Sequence, residues 1–189
     1  MIRFATEKDL GRILEIYGPY ITEATTSFEY EVPSLEEFTE RFRQIVKQYP
    51  WLVYEEDGVI LGYAYGGPTF ARAAYQWSAE ASIYLCPEAC GRGIGKKLYA
   101  TLERILQLQG YRKVYAIITT ANESSIAFHR AVGYRYTATM SDCGYKHGQW
   151  YGTVWMEKDL NTWDAPPREP IPAHRVLCDT ENGAASLSD

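Results

Sequence analysis

The sequence predicts a single α+β domain, and three observations carry that prediction. Two capping signatures each open an amphipathic helix. An Asp-Gly dipeptide joins two apolar strands, and a cleanly alternating strand runs through a glycine-rich loop into a third helix. At 189 residues, the chain can bury one substantial core but is short for two.

Taken in order, Ile2 to Phe4 reads as a short strand, and Thr6 with Asp9 three residues later resembles a capping box. Leu10, Ile13, Leu14 and Tyr17 then recur at helical spacing. Ser34 with Glu37 repeats the signature ahead of Leu35, Phe38, Phe42, Ile45 and Val46. Asp57-Gly58, between "WLVYEE" and "VILGYAYGG", is a tight hairpin turn because both positions tolerate positive φ. From Trp77 to Leu85, Trp77, Ala79, Ala81, Ile83 and Leu85 share one face, while Ser78, Glu80, Ser82 and Tyr84 share the other. Glu80 is therefore expected to point away from the apolar side.

Ile94, Leu98, Leu102, Ile105 and Leu106 mark a helix that Gly110 ends, and a buried strand follows at "VYAIIT". Asn122 caps a further helix that Gly133 stops. Strands near Tyr134 to Met140 and Trp150 to Leu160, joined through "YKHGQ", complete the domain at about residue 160. Beyond it, residues 161–175 form a proline-rich extended segment packed on the surface, and 176–189 a frayed polar tail.

The formal charge of -5 argues against wholesale nucleic-acid binding, which needs a basic face. There is no basic-then-apolar leader, and no apolar run approaches the ~18 residues of a membrane span. The expectation is a cytoplasmic protein with no nucleic-acid or membrane partner. Cys86, Cys90, Cys143 and Cys178 lack CxxC spacing, so reduced thiols are the default. A metal site from Cys86, Cys90 and a distant histidine is conceivable, but no paired ligand spacing supports it and no metal is expected.

"ACGRGIGKKLY" places three glycines where a strand meets a helix, the usual setting for phosphate held by backbone N–H groups. The order Gly91, Gly93, Gly95 fails the dinucleotide pattern G-x-G-x-x-G, and Cys90 and Lys97 stand where a Walker loop needs glycine and Ser/Thr. A plain glycine-rich turn is the structural alternative. What remains resembles the acetyl-coenzyme A loop of the GCN5-related N-acetyltransferases (GNAT), Q/R-x-x-G-x-G/A, with cysteine at its first position: Cys90-Gly91-Arg92-Gly93-Ile94-Gly95. Arg92, Lys96 and Lys97 add local positive charge. "NESSIAFHRAVGY", Asn122 to Tyr134, is independently similar to a second segment of that superfamily. The resemblance implies a mixed, mostly antiparallel, strongly curved sheet flanked by helices. In that fold the fourth and fifth strands splay to admit the pantetheine arm.

Over roughly residues 2 to 172 the chain further resembles the phosphinothricin and methionine sulfoximine N-acetyltransferases, through "ARAAYQWSAEASIYL", "GYKHGQWYGTVW" and the proline-rich ending. That resemblance implies direct acetyl transfer, in a ternary complex, to the α-amino group of a small amino-acid-like acceptor. Glu80 matches the general base and His129 the group that protonates the departing thiolate. Ile83, Tyr84, Leu85, Cys90, Gly91, Arg92, Gly93, Ile94, Gly95, Lys96, Asn122 and Ser125 are the implied acetyl-coenzyme A contacts. Arg72 and Tyr75 match positions holding the acceptor's carboxylate and acidic head, and Phe28 and Ser82 match other pocket positions. Phe70 stands where phosphinothricin enzymes tend to carry a basic residue, which leaves room for a methionine sulfone or sulfoximine. The implied assembly is a homodimer, and Lys146 and His147 either approach the pocket from a partner subunit or form a solvated turn. Detoxification is the implied purpose. Another small amine or an arsenic-containing amino acid as acceptor, and a non-catalytic acyl-coenzyme A sensor, stay open at this point.

Overall fold

The computed structural model describes residues 1–162 and 167–176. Seven strands form one sheet: β1 (Ile2–Phe4), β2 (Trp51–Glu56), β3 (Val59–Pro68), β4 (Ser78–Leu85), β5 (Lys113–Thr119), β6 (Arg135–Lys146) and β7 (Gln149–Asp159). Their order is β1-β2-β3-β4-β5-β7-β6. Every junction is antiparallel except β4–β5, which is parallel and pairs only Ser78, Ala79 and Glu80 with Lys113, Val114 and Tyr115. Past Glu80 the two strands make no further ladder pairs, so the sheet opens toward the C-terminal end of β4.

Among the described residues, four helices of nine or more residues pack with it: α1 (Leu10–Thr22), α2 (Leu35–Val46), α3 (Ile94–Gln109) and α4 (Glu123–Ala131). Both capping boxes form. The Ser34 hydroxyl accepts the Glu37 N–H while the Glu37 carboxylate accepts the Ser34 N–H at 2.8 Å. Asp9 accepts the Thr6 N–H and a two-pronged contact from Arg3, which holds its carboxyl down to about 2. Leu35, expected on the apolar stripe, is instead 52% exposed, because as the first residue of α2 it sits ahead of the turns that reach the core.

The two faces of the sheet differ in what they carry. α1 and α2 cover the front of β2–β4 through rings: Trp51 stacks on Tyr65 at 4.2 Å and meets Phe38 and Phe42 edge-on, while Tyr17 meets Tyr84 at 4.8 Å. α3 lies on the back, over small residues including Ala64, Ala79, Ala81 and Ala116, all buried. A Cβ at Gly66 would stand 3.3 Å from Leu106 of α3. Small side chains on one face thus let a helix approach while large rings fill the other.

The Asp57-Gly58 turn has positive φ at both residues, as its dipeptide predicts. β6 is longer than its sequence pattern suggests. Register shifts between Tyr136 and Ala138 and between Met140 and Gly144 break the alternation, so the strand continues to Lys146 where the apolar signal stops near Met140. Residues 167–176 run past the C-terminal end of α3 and the loops beside it: Trp77 Nε1 donates to the Arg168 carbonyl, Ile171 N–H to the Gln109 carbonyl and Ala173 N–H to the Gln48 carbonyl. Val176, placed in the tail by the sequence reading, is buried, whereas the rest of that tail, residues 177–189 with Cys178, lies outside the described residues.

Candidate active site

The glycine loop is built to expose N–H groups. Gly91 and Gly93 adopt φ of 74° and 78°, which favours glycine, and Gly93 is the N-cap of α3 with no side chain satisfying the first turn. Gly95 serves packing, since a Cβ there would lie 3.2 Å from Phe128 of α4 and 3.5 Å from Ile83 of β4. Lys96 and Lys97 are exposed beside this terminus. Arg92 is instead paired with Glu56 across the surface, and the Ile94 side chain is buried in the core, which leaves only its backbone to face a ligand.

Behind the loop, two adjoining cavities follow the opening between β4 and β5. One, of about 300 Å³, is lined by Tyr20, Ile83, Leu85, Cys90, Gly91, Gly95, Asn122, Ser125 and Phe128, among others. The other, a slit of about 50 Å³, lies among Ser82, Ile83, Tyr84, Tyr99, Thr119, Asn122, Ser125 and His129. The Asn122 side-chain Oδ1 caps α4 by accepting the Ser125 N–H, and its Nδ2 donates to the Thr26 hydroxyl. Thr119 is 4% exposed, and its hydroxyl has no hydrogen-bond partner among the described residues. A buried orphan of that kind is costly unless something in the slit meets it.

His129 is 3% exposed, and both ring nitrogens are engaged: Nδ1 lies 2.7 Å from the Ser125 carbonyl and Nε2 2.9 Å from the Tyr99 hydroxyl. A carbonyl only accepts, so Nδ1 carries the proton and Nε2 accepts from Tyr99. Burial pushes the imidazole's proton affinity down, against the Ser125 contact, so the ring is held neutral. In this arrangement His129 is a hydrogen-bonded support for Tyr99 rather than a charged acid.

The front face carries Glu80. The expectation that it stands on a polar face is corrected: that face is covered, with Tyr84 packed against Tyr17, Tyr20 and Tyr63, and Tyr65 paired beside it to Ser82. Glu80 lies opposite Gly67 on one side and Tyr115 on the other. Its carboxyl makes no hydrogen bond or ion pair among the described residues, and burial alone pushes it up to about 7. A carboxyl titrating near neutrality is suited to taking a proton from an ammonium group.

Next to it, on the front of β5 and β7, residues 69–77 lay Phe70. Its ring stacks on Trp155 at 6.0 Å, tilts against Tyr75 at 4.6 Å and meets Tyr115 edge-on at 6.3 Å. Arg72 is exposed between Phe70 and Tyr75, with no side-chain partner among the described residues. Phe28 lies farther round, against Gly144 of β6. Lys146 is committed within its own chain, buried with its ammonium donating to the Ser27 carbonyl, while His147 occupies the β6–β7 turn at positive φ. For Lys146 the expectation of a solvated turn is thereby corrected. Its last position in β6 brings it under the loop after α1.

Residues 2–155 match the family described as Acetyltransferase (GNAT) domain. The chain belongs to the GNAT acetyltransferase family, a family of transferases. Among similar GNAT proteins is the phosphinothricin N-acetyltransferase of Streptomyces viridochromogenes, 35% identical over 93% of this chain and 95% of that protein. The L-methionine sulfoximine/L-methionine sulfone acetyltransferase of Salmonella typhimurium is 31% identical over 87% and 97%. A solved GNAT structure, a phosphinothricin acetyltransferase from Sinorhizobium meliloti in complex with acetyl-coenzyme A, superposes with a TM-score of 0.85. It is 38% identical and covers 90% of this chain and 94% of its own.

In this GNAT domain the two cavities gather Ser82, Ile83, Tyr84, Leu85, Cys90, Gly91, Gly95, Asn122, Ser125 and His129 from the sequence reading. Glu80, Phe28, Arg72 and Tyr75 line neither, and lie on the front side of the opening. Tyr20, Thr26, Tyr99 and Thr119 also line the cavities and were not anticipated. Nothing in their local pattern marks them, since Tyr20 follows Tyr17 at helical spacing and Tyr99 sits one turn into a helix of core leucines. No helix among the described residues is long and apolar enough to cross a membrane, and no described cluster of His, Cys, Asp or Glu is arranged to hold a metal.

Proposed function

We propose that this enzyme transfers the acetyl group of acetyl-coenzyme A to the α-amino group of a small amino-acid-like acceptor of the phosphinothricin, methionine sulfoximine or methionine sulfone type. The observation that carries the reading is Glu80, an unpaired half-buried carboxyl pushed up to about 7 by desolvation beside the break in the sheet. The residues fit the donor. Open N–H groups at the start of α3 suit a pyrophosphate, the unpaired edge of β4 suits an amide-bearing arm, and the orphan Thr119 hydroxyl offers a polar contact in the slit.

In the proposed reaction Arg72 takes the acceptor's carboxylate and the Phe70–Tyr75 rings receive its side chain. Glu80, directly or through water, removes one proton from the ammonium group. The freed nitrogen attacks the thioester carbonyl; as the tetrahedral adduct collapses the carbon–sulfur bond breaks, and the nitrogen's second proton passes, directly or through water, to the departing thiolate, leaving amide and thiol. The Tyr99 hydroxyl, whose one proton goes to His129 Nε2 in this structure, turns that proton to the sulfur as it leaves. Transfer is direct, in a ternary complex. Exposed Tyr136, Met140, Tyr145 and Trp150 along β6–β7 support a homodimer, with a cytoplasmic, detoxifying role as part of the same reading.

Thiol release from acetyl-coenzyme A tests it, with phosphinothricin, methionine sulfoximine, methionine sulfone, a polyamine and an aminoglycoside as acceptors. Turnover confined to the amino-acid analogues is expected; turnover only with the polyamine or aminoglycoside overturns the acceptor class. Gly93→Ala tests the loop. Forcing an L side chain to φ 78° is expected to cost about 1–2 kcal/mol in denaturant unfolding and to weaken acetyl-coenzyme A binding in calorimetry.

A further inference from the structure

We propose that Tyr20 is a gate on the acyl-donor channel, its hydroxyl holding the backbone groups of Leu85 that the donor's amide arm must take; this rests on the acetyl-coenzyme A reading above. Consecutive strand residues turn their backbone groups to opposite edges. Cys86 donates its N–H to Leu61, toward β3, so the N–H and C=O of Leu85 face the other way, into the opening left by β5. On that open edge Ala81 and Leu85 each meet a tyrosine hydroxyl. The Ala81 carbonyl lies 3.3 Å from the Tyr99 hydroxyl, whose proton goes to the nearer His129, at the closed end. At the mouth, the Tyr20 hydroxyl donates to the Leu85 carbonyl at 2.6 Å and receives its N–H at 3.4 Å.

One hydroxyl therefore substitutes for the missing strand at Leu85. An arm lying along β4 as an added strand bonds at alternate residues, here Ile83 and Leu85. It cannot use Leu85 until Tyr20 leaves. Tyr20 also lines the 300 Å³ cavity itself, together with Leu85 and Cys90.

The chain around Tyr20 is suited to moving. Pro19 lies within the last turn of α1 and has no N–H to return to the turn before it. The turn bearing Tyr20 is thus held by one fewer backbone bond, and α1 ends two residues later. The ring has a second contact, edge-on to Tyr84 at 5.1 Å, which depends on the ring and not on the hydroxyl.

Tyr20→Phe separates the two. It keeps the ring packing and removes the competitor for Leu85, so acetyl-coenzyme A is expected to bind about 3- to 10-fold more tightly, the worth of one net hydrogen bond. The gain should fall in the association rate measured by stopped flow, and it should recur with S-acetylpantetheine, which has the arm without the nucleotide. Equal or weaker binding by the variant, or a faster dissociation rate, would show that the hydroxyl is neutral or grips the donor, and overturns the gate while leaving the donor reading intact. A gain confined to the full nucleotide places the effect at the phosphates and overturns it too. If the unaltered protein binds no acetyl-coenzyme A, donor and gate fall together. Thermal melting of the unliganded variant checks that it folds, and Tyr20→Leu, which also lacks the hydroxyl, should reproduce the faster association.

Discussion

Glu80→Gln is expected to lower kcat by about 10²- to 10³-fold, the range of a positioned general base, with acetyl-coenzyme A affinity unchanged. Equal losses in turnover and donor binding would make Glu80 a structural residue. The unaltered enzyme should show kcat/KM rising with pH through about 7, because Glu80 must shed its proton to act and burial holds that proton up to about there. The variant should lack this limb. Stability should move the other way. The carboxyl titrates at about 7 in the fold against 4.5 when unperturbed, so the folded state binds the extra proton between those values. The penalty is absent below 4.5 and complete above 7, where it amounts to about 3 kcal/mol. The unaltered protein thus loses stability as pH rises through that window, and Glu80→Gln should be the more stable of the two at pH 8 in denaturant unfolding. An activity loss with a stability gain is the signature of a residue held in an unfavourable place for its chemistry.

Arg72→Ala is expected to raise KM for carboxylate-bearing acceptors by about 10- to 100-fold, the worth of a charge-assisted pair, with little change in melting temperature. Its guanidinium has no side-chain partner among the described residues, so its removal strands no buried charge. An acceptor amide lacking the carboxylate should be nearly indifferent to the substitution. Equal damage to both acceptors would assign Arg72 to the shape of the 69–77 loop.

Local chemistry made much of this architecture legible. Gly91 and Gly93 announce positive φ, Ser34 with Glu37 announces a helix start, and Asp57-Gly58 announces a hairpin, each through contacts spanning a few residues. What stayed hidden depends on distant partners. Alternation along β4 shows that Glu80 and Ala79 face opposite ways, but not that the Glu80 side is roofed with rings from α1, α2, β2 and β3; parity carries no information about cover. The Tyr20–Leu85 and Tyr99–His129 bonds join residues 65 and 30 apart. A tyrosine hydroxyl leaves no trace in hydrophobic periodicity, so both read as core. In β6, two register shifts erased the period that would have carried the strand to Lys146.

The three residue pairs that join β4 to β5 make the molecule two half-sheets, β1–β4 and β5–β7, stitched along a short seam. Few cross-strand bonds resist separation there, so amide exchange should be faster at Ile83 and Ile117 than at Val53 or Tyr63 in the fully laddered half. A donor lodged in the seam would supply the absent rungs. At a concentration a hundred times its dissociation constant it adds about 2.7 kcal/mol to folding, spent where the unliganded sheet is weakest. The enzyme's first substrate would then also be the last strand of its fold.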